Sequence, residues 1–257
     1  MIFIAGPCLA ESREIVMQTA ETLSNIFSEY PEHRFIFKAS YRKANRTSAD
    51  SFSGVGDETA LSWIKEVGEI YKVETITDIH SAEEAGIAAQ YVSVLQIPAF
   101  LARQTDIIAA AAKTGLPVNI KKGQFMVAED MAKAAKKAKD FGAKDIWLTE
   151  RGTFFGYHDL VVDFRNLLIM KSLGYPVIYD ATHSVQQPSL SECSGGKREF
   201  ARQLALAAVA CRVDGIFFET HPNPAEALCD RETQLPLDTI EEFVKNIIAL
   251  NNHFESK

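Results

Sequence analysis

The sequence predicts an α/β protein built as a single (β/α)8 TIM barrel spanning residues 1–257, and three observations lead there. Its length of 257 residues suits a fold whose typical size is about 250 residues. Eight short apolar runs alternate with helical patterns. Polar or reactive side chains follow each run, and in a barrel those strand ends form the face that carries chemistry. A doubly wound open sheet is the alternative, although no Gly-x-Gly-x-x-Gly fingerprint supports a dinucleotide fold.

In order, the first expected strand is Ile2–Ala5. It is followed by Val16, Ala20, Leu23 and Phe27 on one helical stripe, at spacings of four, three and four. Further strands are expected at Phe35–Ala39, Val73–Thr77, Val92–Ile97, Pro117–Ile120, Ile146–Thr149, Val177–Asp180 and Gly215–Phe218. The lysines between Lys133 and Lys139 sit in an Ala-rich helical pattern and read as a solvated face. The last helix opens with Asp238 and Glu241, a capping-box-like start. It places Ile240, Phe243, Ile247 and Leu250 on one face. Short connections between buried runs imply a parallel sheet with helices outside it.

Composition narrows the function. The chain is 47% hydrophobic and 24% charged, with a net charge of −7. That balance argues against a nucleic-acid binder, and no apolar run reaches the roughly 18 residues of a membrane span. Met1–Gly6 reads as a strand, not as an export signal. The cysteines Cys8, Cys193, Cys211 and Cys229 match no zinc-finger or Cys-x-x-Cys spacing. Reduced thiols and a cytoplasmic location are therefore expected.

The segment from Lys38 to Ser48 is the most informative. Directly after an apolar run it packs four cations (Lys38, Arg42, Lys43, Arg46) and four hydroxyls (Ser40, Tyr41, Thr47, Ser48) into eleven residues. A solvated basic loop is the bland reading. Its place at a strand end favours a cradle for phosphates and carboxylates. The other strand ends supply Cys8, Asp78 with His80, Gln96, Lys121, Glu150 with Arg151, Asp180 with His183, and Glu219 with His221.

In a closed barrel the last strand lies between the seventh and the first. Cys8, His183 and Glu219 then come from adjacent strands, with Asp230 in the following loop as a fourth candidate ligand. His221 is an alternative to one of these. A thiolate and an imidazole favour Zn²⁺, Fe²⁺ or Co²⁺ over Mg²⁺ or Ca²⁺.

Taken together, these motifs resemble 3-deoxy-D-manno-octulosonate 8-phosphate synthases, also called 2-dehydro-3-deoxyphosphooctonate aldolases. The resemblance runs from about Ile4 to Leu237. It rests on Lys43-Ala44-Asn45-Arg46-Thr47-Ser48, on Gln96-Ile97-Pro98-Ala99-Phe100 and the residues to Asp106, and on Asn119-Ile120-Lys121-Lys122-Gly123-Gln124-Phe125. Thr149-Glu150-Arg151-Gly152, Phe155-Gly156-Tyr157, Asp180-Ala181-Thr182-His183, Ser194-Gly195-Gly196 and Glu219-Thr220-His221-Pro222 extend it.

The resemblance implies condensation of phosphoenolpyruvate with D-arabinose 5-phosphate and water in a homotetramer, feeding lipopolysaccharide biosynthesis. It implies a substrate-binding set of Lys38, Ser40, Lys43, Asn45, Arg46, Thr47, Asp78, Gln96, Lys121 and Arg151. Arg46 and Thr47 would clamp the sugar phosphate from a neighbouring subunit. The implied catalytic residues are Lys43, Asn45, His183 and Asp230. The implied cofactor is a divalent transition metal (Zn, Fe, Mn or Co) held by Cys8, His183, Glu219 and Asp230, as in the metal-requiring branch.

Ser53, Arg231 and the loop after His183 depart from the family pattern. A similar barrel that uses erythrose 4-phosphate, 3-deoxy-D-arabino-heptulosonate 7-phosphate synthase, is the enzymatic alternative; Asn45 and the longer Lys-Ala-Asn-Arg motif argue against it. A Schiff-base aldolase using Lys38 or Lys121, or a non-catalytic phosphosugar-binding barrel, completes the range.

Overall fold

In the computed structural model, residues 1–44, 52–188 and 195–256 are described. Eight parallel strands form the barrel: β1 Ile2–Gly6, β2 Arg34–Lys38, β3 Glu74–Asp78, β4 Val94–Ile97, β5 Val118–Lys121, β6 Ile146–Glu150, β7 Val177–Asp180 and β8 Gly215–His221. Each pairs with the next, and β1 also pairs with β8 from Ile2↔Gly215 to Gly6↔Glu219, which closes the sheet. An open sheet is thereby excluded. Gly6 permits the close approach of β1 to β2: a Cβ there would lie 2.0 Å from the carbonyl oxygen of Lys38.

Among the described residues eight α-helices surround the barrel: α1 Arg13–Ser28, α2 Asp57–Tyr71, α3 Ala82–Ala88, α4 Thr105–Lys113, α5 Met131–Asp140, α6 Arg165–Ser172, α7 Ala201–Ala210 and α8 Ile240–Glu255. Ser12 caps α1, its Oγ accepting from the N–H of Ile15 at 3.2 Å. The stripe Val16, Ala20, Leu23 and Phe27 is buried. In α5 the alanines 134, 135 and 138 are buried while Lys133, Lys136 and Lys139 face solvent, as their spacing predicts. The expected capping box before α8 does not form. Asp238 lies in a 3-10 turn, Leu237–Thr239, and Thr239 precedes the helix with its hydroxyl bonded to the Pro236 carbonyl at 2.7 Å. The tighter turn spends that hydroxyl locally.

Two apolar layers follow from the period-2 alternation of strand side chains. One, between strands and helices, holds residues such as Phe3, Phe37, Leu148 and Phe218. The other fills the barrel: Ile4, Ile36, Ile76, Val94, Trp147, Ile178 and Phe217. Two residues further along their strands, the same inward positions become Lys38, Asp78, Gln96, Thr149, Asp180 and Glu219. The interior is an apolar plug with a polar floor above it. Among the described residues no helix is long and apolar enough to cross a membrane.

Candidate active site

The polar floor begins at Lys38, whose ammonium is buried. Its Nζ donates to Ser40 Oγ (3.0 Å), the Cys8 carbonyl (3.3 Å) and Glu219 Oε1 (3.2 Å). Asp78 Oδ2 stands 3.6 Å away. Burial disfavours the charged amine, but Asp78 and Glu219 outweigh it and raise the Lys38 pKa. Asp78 in turn anchors a chain of hydrogen bonds across five strands. Ser40 Oγ donates to Asp78 Oδ2 at 2.5 Å, and Gln96 Nε2 to Asp78 Oδ1 at 2.6 Å. Asn119 Nδ2 donates to Gln96 Oε1 at 2.8 Å, and Thr149 Oγ1 to Asn119 Oδ1 at 2.7 Å. Gln96 is thus engaged at both ends of its amide and orients Asp78. Asn119 and Thr149, which sequence reasoning did not single out, complete the chain.

On the opposite wall, Lys121 Nζ donates to Asp180 Oδ2 at 2.7 Å and sits 3.6 Å from the centroid of the Phe217 ring. Burial lowers the Lys121 pKa despite Asp180. Asp180 also meets His183: Nδ1 lies 2.9 Å from Oδ2, and the His183 backbone N–H donates to Oδ1 at 2.9 Å. A ring whose Nδ1–H is given to a carboxylate presents the lone pair of Nε2, the usual posture of a metal-binding histidine. That Nε2 lies 3.6 Å from Glu219 Oε2.

Asp230 joins the remaining parts. Its backbone turns through a left-handed φ of 44°, a conformation that Asp tolerates better than most residues. Its Oδ2 accepts from Cys8 Sγ at 3.1 Å and lies 3.5 Å from Lys43 Nζ. Its Oδ1 accepts from Gln186 Nε2 at 2.7 Å, and Gln186 Oε1 accepts from Arg151 Nη2 at 2.9 Å. Gln186, absent from the sequence-based set, therefore bridges Arg151 and Asp230. Burial opposes charge on both Lys43 and Asp230. Cys8, Glu219 and Asp230 nevertheless raise Lys43 well above its ordinary value, and Lys43 and His183 hold Asp230 well below the carboxylate range.

The structure so brings together Cys8, Lys38, Ser40, Lys43, Asp78, Gln96, Lys121, Arg151, His183, Glu219 and Asp230. Asn45, Arg46 and Thr47 lie outside the described residues. His221 is not at the centre: its Nε2 pairs with Glu11 at 2.8 Å and its Nδ1 accepts from the Asn223 N–H at 3.0 Å. Both ring nitrogens are spent, so it replaces none of the four candidate ligands. His80 pairs with Glu84 at 3.1 Å.

The donor set fits a cation. Two groups of ligand atoms, Cys8–Cys229–Asp230 and His183–Glu219–Asp230, each lie within 4.8 Å of one another and share Asp230. Among the described residues Glu219 Oε2 is buried without a hydrogen-bond donor, which leaves that oxygen open to a further positive partner beside the Lys38 that meets Oε1.

The chain is similar to known proteins over nearly its whole length. The family model described as the DAHP synthetase I family matches residues 1–256. A protein of Desulfatibacillum aliphaticivorans named 2-dehydro-3-deoxyphosphooctonate aldolase is 47% identical over 251 residues, covering 97% of this chain and 92% of its own. The protein of that name from Magnetococcus marinus is 49% identical over 252 residues, covering 98% and 88%. That from Campylobacter jejuni is 47% identical over 264 residues, covering 98% and 97%. The chain belongs to the DAHP synthetase I family and, within it, to the 2-dehydro-3-deoxyphosphooctonate aldolases.

Proposed function

We infer that this chain condenses phosphoenolpyruvate with D-arabinose 5-phosphate and water, giving 3-deoxy-D-manno-octulosonate 8-phosphate and phosphate. The observation that carries this reading is the gathering of Lys38, Lys43, Lys121 and Arg151 in one buried cluster, each beside a carboxylate or an amide that orients it. In a chain of net charge −7, such a concentration suits two anionic substrates. The name carried by its relatives points the same way.

Lys38, Lys43, Lys121 and Arg151, with Ser40, would supply the charge and donors that hold phosphoenolpyruvate. Asn45 would contact the arabinose hydroxyls, and Arg46 and Thr47 would clamp the sugar phosphate. Holding both reactants in attack geometry accounts for a large part of the rate. C3 of the enol phosphate attacks the aldehyde carbon, and positive charge develops at C2. Water adds at C2, and the resulting hemiketal phosphate loses phosphate by C–O cleavage. His183 and Asp230 are placed to hold or move the proton of that water. No amine of the protein enters a covalent bond, because phosphoenolpyruvate is already an activated enol.

Cys8, His183, Glu219 and Asp230 would hold a divalent transition metal (Zn, Fe, Mn or Co), which when bound supplies Lewis-acid polarisation of an aldehyde or hydroxyl oxygen. The family resemblance further supports a cytoplasmic homotetramer, with Arg46 and Thr47 reaching a neighbour's site, and a product destined for lipopolysaccharide biosynthesis.

Phosphate release from phosphoenolpyruvate, measured with arabinose 5-phosphate and erythrose 4-phosphate side by side, tests the reading. Strong preference for the five-carbon sugar is expected, because a site built to bond its hydroxyls penalises analogues lacking them. Equal or better use of erythrose 4-phosphate would make the chain a heptulosonate synthase, and binding without turnover would make it a non-catalytic barrel.

A further inference from the structure

Cys229 is a thiol left unused by the reading above. It is buried, and its Sγ, the Sγ of Cys8 and a carboxylate oxygen of Asp230 lie within 4.8 Å of one another. Gln234 pins both thiol-bearing segments: its Oε1 accepts from the Cys8 N–H at 3.2 Å and its Nε2 donates to the Cys229 carbonyl at 2.9 Å. The left-handed turn at Asp230 sits between Cys229 and the rest of the loop, so two consecutive side chains reach the same point.

Two thiols side by side in a desolvated niche gain little from each other, since S–H is a weak donor and sulfur a weak acceptor. With a soft divalent cation both become strong ligands.

We propose that Cys229 is a second sulfur ligand, so that the cation is held between the Cys8 and Cys229 thiolates with Asp230 shared toward His183 and Glu219. Binding releases the two thiol protons. The site then selects thiophilic cations such as Zn²⁺ and Cd²⁺ over Mn²⁺ and Mg²⁺. This rests on the metal-site reading given under the proposed function.

X-ray absorption at the zinc edge of the Zn²⁺-loaded, unsubstituted protein tests it directly. Two sulfur neighbours at about 2.3 Å are expected. One sulfur neighbour overturns this inference and leaves the metal site standing; failure to bind zinc overturns both. A second measurement uses Co²⁺ in place of zinc and reads the thiolate-to-cobalt charge-transfer absorption. Cys229→Ser should reduce that absorption to about half, as Cys8→Ser does, each variant losing one of two soft donors. Unchanged absorption in Cys229→Ser contradicts the assignment.

Discussion

Lys121 on β5 and Asp180 on β7 meet at 2.7 Å across the intervening strand β6, beneath the ring nitrogen of His183. The pair joins the two halves of the site, because Asp180 orients His183 while Lys121 stands over the Phe217 ring. Burial works against charge on Asp180, yet His183 and Lys121 hold it far below the usual carboxylate range. The next residue, just past the end of β5, has the opposite task. Lys122 is fully buried, donating to Thr153 Oγ1 at 2.9 Å with Glu150 Oε1 at 3.4 Å.

This contrast gives the first prediction. Lys121→Met should lower kcat/KM by at least about 100-fold, the cost of removing one preorganised charge donor, with a modest change in stability because Asp180 keeps the donors of His183 and Thr182. Lys122→Met should do the reverse. It strands Glu150 in the interior and should cost about 3 kcal/mol of stability, largely recovered in the Lys122→Met, Glu150→Gln double variant. Urea denaturation and steady-state kinetics on the three proteins check both halves.

Asp78 sets the acid limit. Burial opposes its charge, but Lys38, then Lys121 and Lys43, hold its pKa well below the usual value. A carboxylate depressed in the folded state contributes stability that is fully present above its unfolded pKa of about 3.9 and is lost as pH falls toward the folded value. The melting temperature of the unsubstituted protein should therefore fall more steeply below about pH 4 than that of Asp78→Asn. At neutral pH the variant should be the less stable of the two. Parallel slopes in the two thermal scans between neutral and acid pH would refute this role.

The hydrogen-bond chain through Gln96 makes a third prediction. Asn119→Leu leaves Gln96 Oε1 without its donor and Thr149 Oγ1 without its acceptor. Each buried orphan should cost about 1–3 kcal/mol. Thr149→Val removes only the terminal donor and should cost less. Because the chain holds Gln96 and Asp78, both in the implied substrate-binding set, both variants should lower kcat/KM as well as stability. Denaturant midpoints and separate kcat and KM values test the ordering.

Much of this was legible in the sequence. The eight strands were readable because each is buried on both faces and so appears as an apolar run. The strand-end residues were readable because a polar residue breaking such a run has few other reasons to be there. Closure placed the strands that lead to Cys8, Glu219 and His183 side by side. What escaped notice were side chains whose role depends on loop conformation. Gln186 and Gln234 act through amides indistinguishable, by type alone, from surface glutamines, and Cys229 comes into reach only through the left-handed turn at Asp230. His221 looked like a ligand by proximity to Glu219, but its partner Glu11 is distant in sequence. The Asp238–Glu241 pattern failed because a tighter turn used Thr239 instead.

The central claim is that Cys8, His183, Glu219 and Asp230, from two ligand groups joined at Asp230, would hold a cation on which turnover depends. Elemental analysis and phosphate release should be followed together while a chelator strips the protein and a divalent transition metal is then restored. The account predicts that metal content and turnover fall in proportion and return together. Full turnover at zero metal content would contradict it.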